Sequence, residues 1–122
     1  LKFWKGEAWG KEMFEIICRS KITLNHHGEI LPYANNLRLY ESTGLGTLLL
    51  TDNLPGLSDK FEIGKEILAY SNPEECINYI DAYLKDDKER ELISLNGQRR
   101  TKTSHNYSNI IQELTEIVSN QL

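Results

Sequence analysis

The sequence predicts an α/β fold with three layers, in which a parallel sheet has helices on both faces. Two short apolar runs bounded by turn residues, 22–24 and 47–50, are typical of strands that are buried on both faces. Segments with apolar residues at helical spacing alternate with such runs, and this alternation favours parallel strands covered by helices. A length of 122 residues suits one domain, so we predict a single domain over 1–122.

The first predicted elements are a short strand, or the stub of one, at 1–4 and a helix at 7–19. The apolar residues of this helix recur at helical spacing, and they are Trp9, Met13, Ile16 and Ile17. Cys18 and Cys76 have apolar neighbours and lie far apart in the sequence. Because they lack the paired spacing of a zinc site, we predict two reduced, buried thiols in a cytoplasmic protein.

The central part of the chain is predicted to form a strand, a polar loop, a helix and a second strand. The first strand, 22–24, ends in the polar loop 25–29, and the helix is expected to begin near Asn35 and Asn36. The second strand, 47–50, completes the unit. In a parallel α/β sheet, ligands bind where strands end and helices begin. We therefore expect the functional site at the end of the first strand.

The remaining elements are predicted from turn and capping residues. A loop at 54–65 carries a helical turn at 57–61, and a third strand lies at 66–70. The helix that follows has a capping signal, which consists of Asn72, Pro73 and Glu75. Gly97, inside the next helix, marks either a weak point or a close packing contact. The last helix has an apolar stripe made of Tyr107, Ile110, Ile111, Leu114, Ile117 and Val118.

The composition excludes several classes of protein. A net charge of −4, from 14 basic and 18 acidic residues, gives no basic footprint for nucleic acid. The longest apolar runs have four residues or fewer, too short to span a membrane, and the start of the chain has no signal-peptide pattern. Because the chain does not begin with methionine, we expect it to be a piece of a longer protein.

Several residues near the expected site have two open interpretations. Glu41 can accept hydrogen bonds from the diol of a ribose, or it can form a surface ion pair with Arg38, which spacing alone favours. Asn35 and Asn36 can present a helix N-terminus to a phosphate, or they can serve as ordinary helix caps. Arg38 can contact a phosphate or remain a solvated charge.

His26 and His27 raise the question of a metal site. Adjacent residues of an extended segment point to opposite faces, and no third ligand recurs at a metal-site spacing, so we predict no bound metal. A single histidine at the strand end, hydrogen-bonded to a ligand or to the backbone, is the preferred interpretation. Cysteine–histidine catalysis is disfavoured, because Cys18 lies inside a predicted helix.

Four stretches of the sequence resemble one family of enzymes, and they are SKITLNHHGEI, YANNLRLYESTGLGTLLLTD, GKEILAYSNPEECINYI and GQRRT. They are similar to the C-terminal domain of group 1 glycosyltransferases, in the CgeB-like branch. The resemblance covers the chain from about Trp9 to Thr101. It implies a GT-B enzyme, in which two Rossmann-like halves face each other across a cleft. This chain would be a truncated form of the donor-binding, C-terminal half.

The resemblance also implies that a nucleotide-diphosphate sugar binds at the ends of the strands. Glu41 takes the position of the glutamate that holds the ribose, and Asn35 and Asn36 lie where the helix start faces the diphosphate. The residues that we assign to nucleotide-sugar binding are Glu41, Asn36, Asn35, Arg38, His26 and Gly28. No metal and no other cofactor is implied, because helix N–H groups and basic side chains stabilise the leaving diphosphate.

The sequence departs from the family pattern in two respects. Tyr33 occupies a position where many relatives have a glutamate that contacts the donor sugar, so the sugar stays open. The donor half of such enzymes has six strands, of which we predict three or four here. The missing strands and the acceptor-binding half would precede this chain, and the isolated chain should be inactive. Its first strand should then be an exposed edge through which two copies associate.

We therefore predict the donor-binding part of a glycosyltransferase that acts on a nucleotide sugar and an unknown acceptor. The alternative is a non-catalytic module on the same scaffold that binds a nucleotide or a partner, and Tyr33 keeps it open. A receiver-like signalling domain is disfavoured, because it needs clustered aspartates and only Asp52 stands at a predicted strand end. Neither nucleic acid nor a membrane span is expected.

Overall fold

The computed structural model describes residues 4–28 and 32–121. Within these ranges the elements follow in the predicted order. They are α1 (Gly10–Arg19), β1 (Ile22–Asn25), α2 (Arg38–Gly44), β2 (Leu48–Asp52), α3 (Leu57–Lys60), β3 (Leu68–Tyr70), α4 (Pro73–Lys85), α5 (Asp87–Ser104) and α6 (Tyr107–Ser119). Three of the four residues predicted as a strand at 1–4 lie outside the described ranges, and the fourth, Trp4, is not in a strand.

The three strands form one parallel sheet in the order β1–β2–β3. Asn25 pairs with Thr51 across the first ladder, and Asp52 pairs with Tyr70 across the second. Since all three strands run in the same direction, their carboxyl ends meet at one edge of the sheet. The predicted α/β class, with a parallel sheet flanked by helices, is confirmed.

Strand β2 is buried along its whole length and supplies the core of both faces. Leu48 and Leu50 lie on one face, among residues of α4 and α5. Leu49 lies on the opposite face, among residues of α2 and α3. Successive side chains of a strand point to opposite faces, so a run of three leucines serves two clusters at once. The prediction of a strand buried on both faces is confirmed for β2.

The same prediction is wrong for β1. Only Asn25 is buried there, whereas Ile22 and Thr23 are half-buried and Leu24 is 55% exposed. Strand β1 forms one border of the described sheet, and β2 is the only described strand that pairs with it. An apolar run by itself does not reveal whether a strand lies at the centre of a sheet or at its border.

Helix α1 begins at Gly10, later than the predicted start at 7, and Ile17 is its one buried residue. Trp9 and Ile16, predicted to face the core, are exposed, and Met13 is half-buried. Cys18 is also exposed, so the prediction that it is buried is wrong. Successive helical residues are rotated by about 100°, and the residue after Ile17 therefore turns away from the sheet. The second thiol, Cys76, is buried as predicted, and burial raises its pKa.

Helix α2 begins at Arg38, with Leu37 as its N-cap and no side chain capping it. Asn35 and Asn36 precede the helix, so of their two open interpretations, that of ordinary helix caps is wrong. The side chain of Asn36 instead bonds to Asn25 of β1. An asparagine before a helix is therefore an ambiguous signal, because its side-chain amide can hydrogen-bond to a residue other than those at the helix N-terminus.

Helix α4 begins as predicted. The Asn72 Oδ1 accepts the backbone N–H of Glu75 over 2.9 Å, and Glu75 Oε2 accepts the backbone N–H of Ser71 over 2.7 Å. In α5, a Cβ added to Gly97 would overlap the backbone carbonyl oxygen of Glu66. Of the two interpretations of Gly97, the close packing contact is therefore confirmed.

Helix α6 has a capped start, since Asn106 Oδ1 accepts the backbone N–H of Asn109 over 3.0 Å, but none of its residues is buried. The predicted apolar stripe is exposed from Tyr107 to Val118. Among the described residues, no helix is long and apolar enough to cross a membrane.

Candidate functional site

The carboxyl ends of β1 and β2 carry a chain of hydrogen-bonded side chains, which we call the edge network: Asn36, Asn25, Thr51, Asp52 and His27. Asn36 Nδ2 donates to Asn25 Oδ1 over 3.1 Å, and Asn25 Nδ2 donates to Thr51 Oγ1 over 3.0 Å. The Thr51 hydroxyl then donates to Asp52 Oδ1 over 3.1 Å. The network therefore joins the two strands to the residue that precedes α2.

Asp52 is the centre of the edge network. Its Oδ1 lies 2.6 Å from His27 Nδ1, and its two oxygens accept the backbone N–H of His27 over 3.2 and 3.1 Å. A carboxylate only accepts hydrogen bonds, so Nδ1 carries the hydrogen in this contact. Burial acts to raise the pKa of Asp52, but the hydrogen bonds from His27 and Thr51 outweigh it and hold this pKa below its ordinary value.

The two histidines of the loop approach the same carboxylate. His26 Nδ1 lies 3.2 Å from Asp52 Oδ2, with the His26 side chain 67% exposed, whereas the His27 side chain is 3% exposed. The prediction that they point to opposite faces is wrong, because the chain leaves β1 at Asn25 and strand alternation ends there. Gly28 follows with a left-handed φ of 71°. Among the residues described, no cluster of three or more His, Cys, Asp or Glu side chains is placed to hold a metal ion.

Tyr70, the last residue of β3, reaches across to the loop after β1. Its hydroxyl donates to the backbone carbonyl of Asn25 over 3.0 Å and lies 3.5 Å from His26 Nδ1. Burial raises the pKa of Tyr70, and the nearby carboxylate of Asp52 raises it further. Tyr70 thus remains a neutral hydroxyl that ties the third strand to the end of the first.

A cleft of about 650 Å³ opens at this edge of the sheet. His26, Asp52 and Tyr70 supply polar atoms to its wall, and Leu24 and Ile80 supply apolar surface. The carboxyl ends of all three strands therefore contribute to one cleft, as is usual for ligand sites in open parallel sheets.

The other residues predicted to bind the nucleotide sugar do not belong to the edge network. Arg38 Nη1 pairs with Glu41 Oε2 at 3.2 Å, so the predicted ion pair is confirmed. Glu41 borders a separate groove of about 510 Å³, together with Leu37 and Tyr40 of the same segment. Asn35 is exposed. Of the six assigned residues, the structure brings Asn36 and His26 to Asp52 and its partners.

Two atoms of the edge network have no hydrogen-bond partner among the described residues. They are His27 Nε2 and Asn36 Oδ1, and both are buried. Four hydrogen bonds separate the two side chains, which stand at opposite ends of the network.

Five residues of this site were not among the six assigned from the sequence, and they are Asn25, His27, Thr51, Asp52 and Tyr70. A signal was present, because Asp52 and Tyr70 each end a predicted strand and carboxyl ends of parallel strands lie at one edge. The partnership between Asp52 and His27 depends on how the loop bends at the end of β1, and residue spacing does not predict that bend.

A family model described as glycosyl transferase-like matches residues 2–116. The matched region contains the edge network, Tyr70 and the pair formed by Arg38 and Glu41. Searches of curated proteins and of solved structures each found no match.

Proposed function

The chain belongs to the glycosyl transferase-like family, and from this premise we propose that it is the donor-binding part of a GT-B enzyme of the CgeB-like branch. Its ligand is a nucleotide-diphosphate sugar. In the reaction, the bond between the anomeric carbon and a diphosphate oxygen breaks, and the sugar is joined to an acceptor held by another part of the protein.

The observation that best supports this proposal is the concentration of polar groups at the carboxyl edge of a parallel sheet. Asp52 and Asn25 are buried there, whereas His26 is exposed on the cleft. Burying polar groups costs free energy unless they are hydrogen-bonded, so a domain that needed only stability would be expected to place apolar residues here. Ligand sites in open α/β sheets lie at this edge.

Five of the six assigned residues have the following roles in the proposal. Glu41 accepts hydrogen bonds from the ribose, and Arg38, 3.2 Å away, orients its carboxylate. Arg38 and the exposed Asn35 are the candidates for contacts with the diphosphate. His26 and Gly28 line the path of the donor along the loop. The transfer needs no metal in this scheme, since N–H groups and basic side chains stabilise the leaving diphosphate. A cytoplasmic location, predicted from the cysteines, belongs to the same proposal.

The test is calorimetric titration of the longest natural protein that contains this chain with uridine, guanosine, adenosine and thymidine diphosphates. We expect one base to bind best, and Glu41→Ala to weaken binding by about 1–3 kcal/mol, the cost of unpaired hydroxyls. Glu91→Ala, which removes an exposed carboxylate from α5, is the matched control and should change nothing. If no nucleotide binds, the proposal fails and the non-catalytic module takes its place.

A further inference from the structure

The two unpartnered atoms of the edge network share one chemical property. His27 Nδ1 donates its hydrogen to Asp52, so in the neutral ring Nε2 presents a lone pair and accepts. Asn36 uses its amide nitrogen to donate to Asn25, which leaves Oδ1 as an acceptor. With the His27 ring neutral, each end of the network is therefore a buried acceptor that lacks a donor among the described residues.

The direction of the hydrogen bonds fixes the orientation of the Asn36 amide and places a hydrogen on His27 Nδ1. Asp52 accepts from Thr51 and from His27, and Thr51 accepts from Asn25. Rotating the amide of Asn36 would set its carbonyl oxygen against Asn25 Oδ1, so the network holds the orientation seen. A buried acceptor without a donor costs about 1–3 kcal/mol, and a ligand that supplies the donor recovers that free energy.

We propose that His27 Nε2 and Asn36 Oδ1 accept hydrogen bonds from hydroxyl groups of the donor, on its ribose or on its sugar. The inference rests on the proposed function and names the part of the donor that this edge recognises. Phosphate oxygens are acceptors at neutral pH and cannot satisfy either atom. The resemblance places the diphosphate at Asn36, and the hydrogen-bond direction assigns a hydroxyl there instead.

In this proposal Asp52 acts through His27 and is a positioning residue, although its carboxylate also borders the cleft. Its carboxylate holds both the backbone N–H and Nδ1–H of His27, which fixes the tautomer and the plane of the ring. His27 is the contact residue at one end of the network and Asn36 is the contact residue at the other.

The first experiment is a binding cycle that combines Asn36→Ala with removal of hydroxyl groups from the ligand, with every titration in the same buffer. The ligands are the tightest-binding nucleoside diphosphate of the panel, its 2′,3′-dideoxy form, and its glucose conjugate. If the ribose is recognised, Asn36→Ala weakens the ribose form about tenfold and leaves the dideoxy form unchanged. If the sugar is recognised, Asn36→Ala weakens binding of the glucose conjugate about tenfold and leaves the affinities for the other two ligands unchanged.

Ser42→Ala is the matched control, because Ser42 Oγ is also buried without a partner but lies within α2, outside the edge network. This change should leave all three affinities unaltered. Equal weakening of all three ligands by Asn36→Ala, or no weakening of any, overturns the inference while the proposed function stands. Failure of the unchanged protein to bind any of the ligands overturns both.

A second measurement keeps the inference open to test if Asn36→Ala does not fold. The ¹⁵N resonance of His27 Nε2 is recorded in the unaltered protein without ligand, with the hydroxyl-bearing ligand and with its deoxy counterpart. We expect the resonance to move only with the hydroxyl-bearing ligand, as a new donor reaches the lone pair. An identical resonance in all three states would mean that an ordered water alone serves this nitrogen, and the inference would be wrong.

Discussion

The two borders of the sheet are built in opposite ways. At the β3 border, the chain turns directly into α4, and Asn72 and Glu75 satisfy the backbone N–H groups at that turn. At the β1 border, Leu24 is 55% exposed and Asn36 leaves the start of α2 without a side-chain cap. At the β3 border, the polar groups of the turn are hydrogen-bonded within the chain. At the β1 border, apolar surface is exposed, and buried acceptors have no donor among the described residues.

This difference supports the proposal that the donor binds at the β1 border. A protein element made only for stability is expected to satisfy its own hydrogen bonds, since each buried polar atom left alone costs free energy. Among the described residues, the β1 border keeps three such atoms: Thr23 Oγ1, His27 Nε2 and Asn36 Oδ1. The proposed donor site at the β1 border would supply hydrogen-bond donors to such atoms.

The largest expected effect comes from removing the carboxylate that joins the β1 border to β2. Asp52→Ala leaves the buried backbone N–H and Nδ1–H of His27 without their acceptor, and we expect a loss of about 3 kcal/mol in the free energy of unfolding. Chemical denaturation measures it. Asp59→Ala, at an exposed position in α3, is the control and should change stability by a few tenths at most. Equal effects of the two changes would contradict the central role of Asp52.

The next effect concerns association of the isolated chain. If the open β1 border pairs with a second copy, Leu24→Lys should weaken the dimer at least about tenfold, because a charge on an edge strand opposes pairing. Sedimentation over a range of concentrations measures the dimer. Leu92→Lys changes an equally exposed leucine on α5 and should leave it intact. A monomer at every concentration in the unaltered chain would exclude pairing through β1.

A smaller effect should separate the two helix starts. Asn72→Ala removes the cap of α4 and should lower the free energy of unfolding by about 1 kcal/mol. Asn36→Ala removes one hydrogen bond but also a buried acceptor without a donor, and these two changes oppose each other. We therefore expect it to cost clearly less than Asn72→Ala. Thermal unfolding of the two variants under the same conditions measures both losses of stability. A larger loss for Asn36→Ala than for Asn72→Ala would contradict the comparison of the two borders.

The smallest effect is a dependence on pH at the β1 border. The pKa of Asp52 is lowered on folding, so its contribution to stability is present above the unfolded value near about pH 4 and is lost as the pH falls through the folded value. The change is modest because a protonated carboxyl still accepts hydrogen bonds. The difference in stability between the unaltered chain and Asp52→Asn should shrink as the pH falls from 7 toward 3. A constant difference would contradict the lowered pKa.

The parts of the fold that depend on local patterns could be predicted from the sequence. The three apolar runs predicted the three strands, and the capping residues around Asn72 predicted the start of α4. The ion pair of Arg38 and Glu41 followed from a spacing of three residues on one helix. Local propensity and periodicity carry this kind of information because the interacting atoms belong to neighbouring turns.

The parts that depend on the surroundings could not be predicted in the same way. Burial of β1, Ile16 and Cys18 depends on what lies beyond the element, and an apolar run does not contain that information. The approach of His26 and His27 to Asp52 depends on the bend after β1, 25 residues away in sequence from the carboxylate. Long-range contacts of this kind are set by tertiary packing, which overrides local pattern.

Helix α6 has a consequence for the order in which amide protons exchange with solvent. It has 13 residues and none is buried, and a helix of about this length without tertiary support is marginal in water. The amide protons of α6 should therefore exchange through local opening, whereas those of β2 should exchange only when the whole sheet opens. Any molecule that covers the stripe from Tyr107 to Val118 should slow exchange in α6 while β2 is unaffected, which makes this helix a reporter of docking on that stripe.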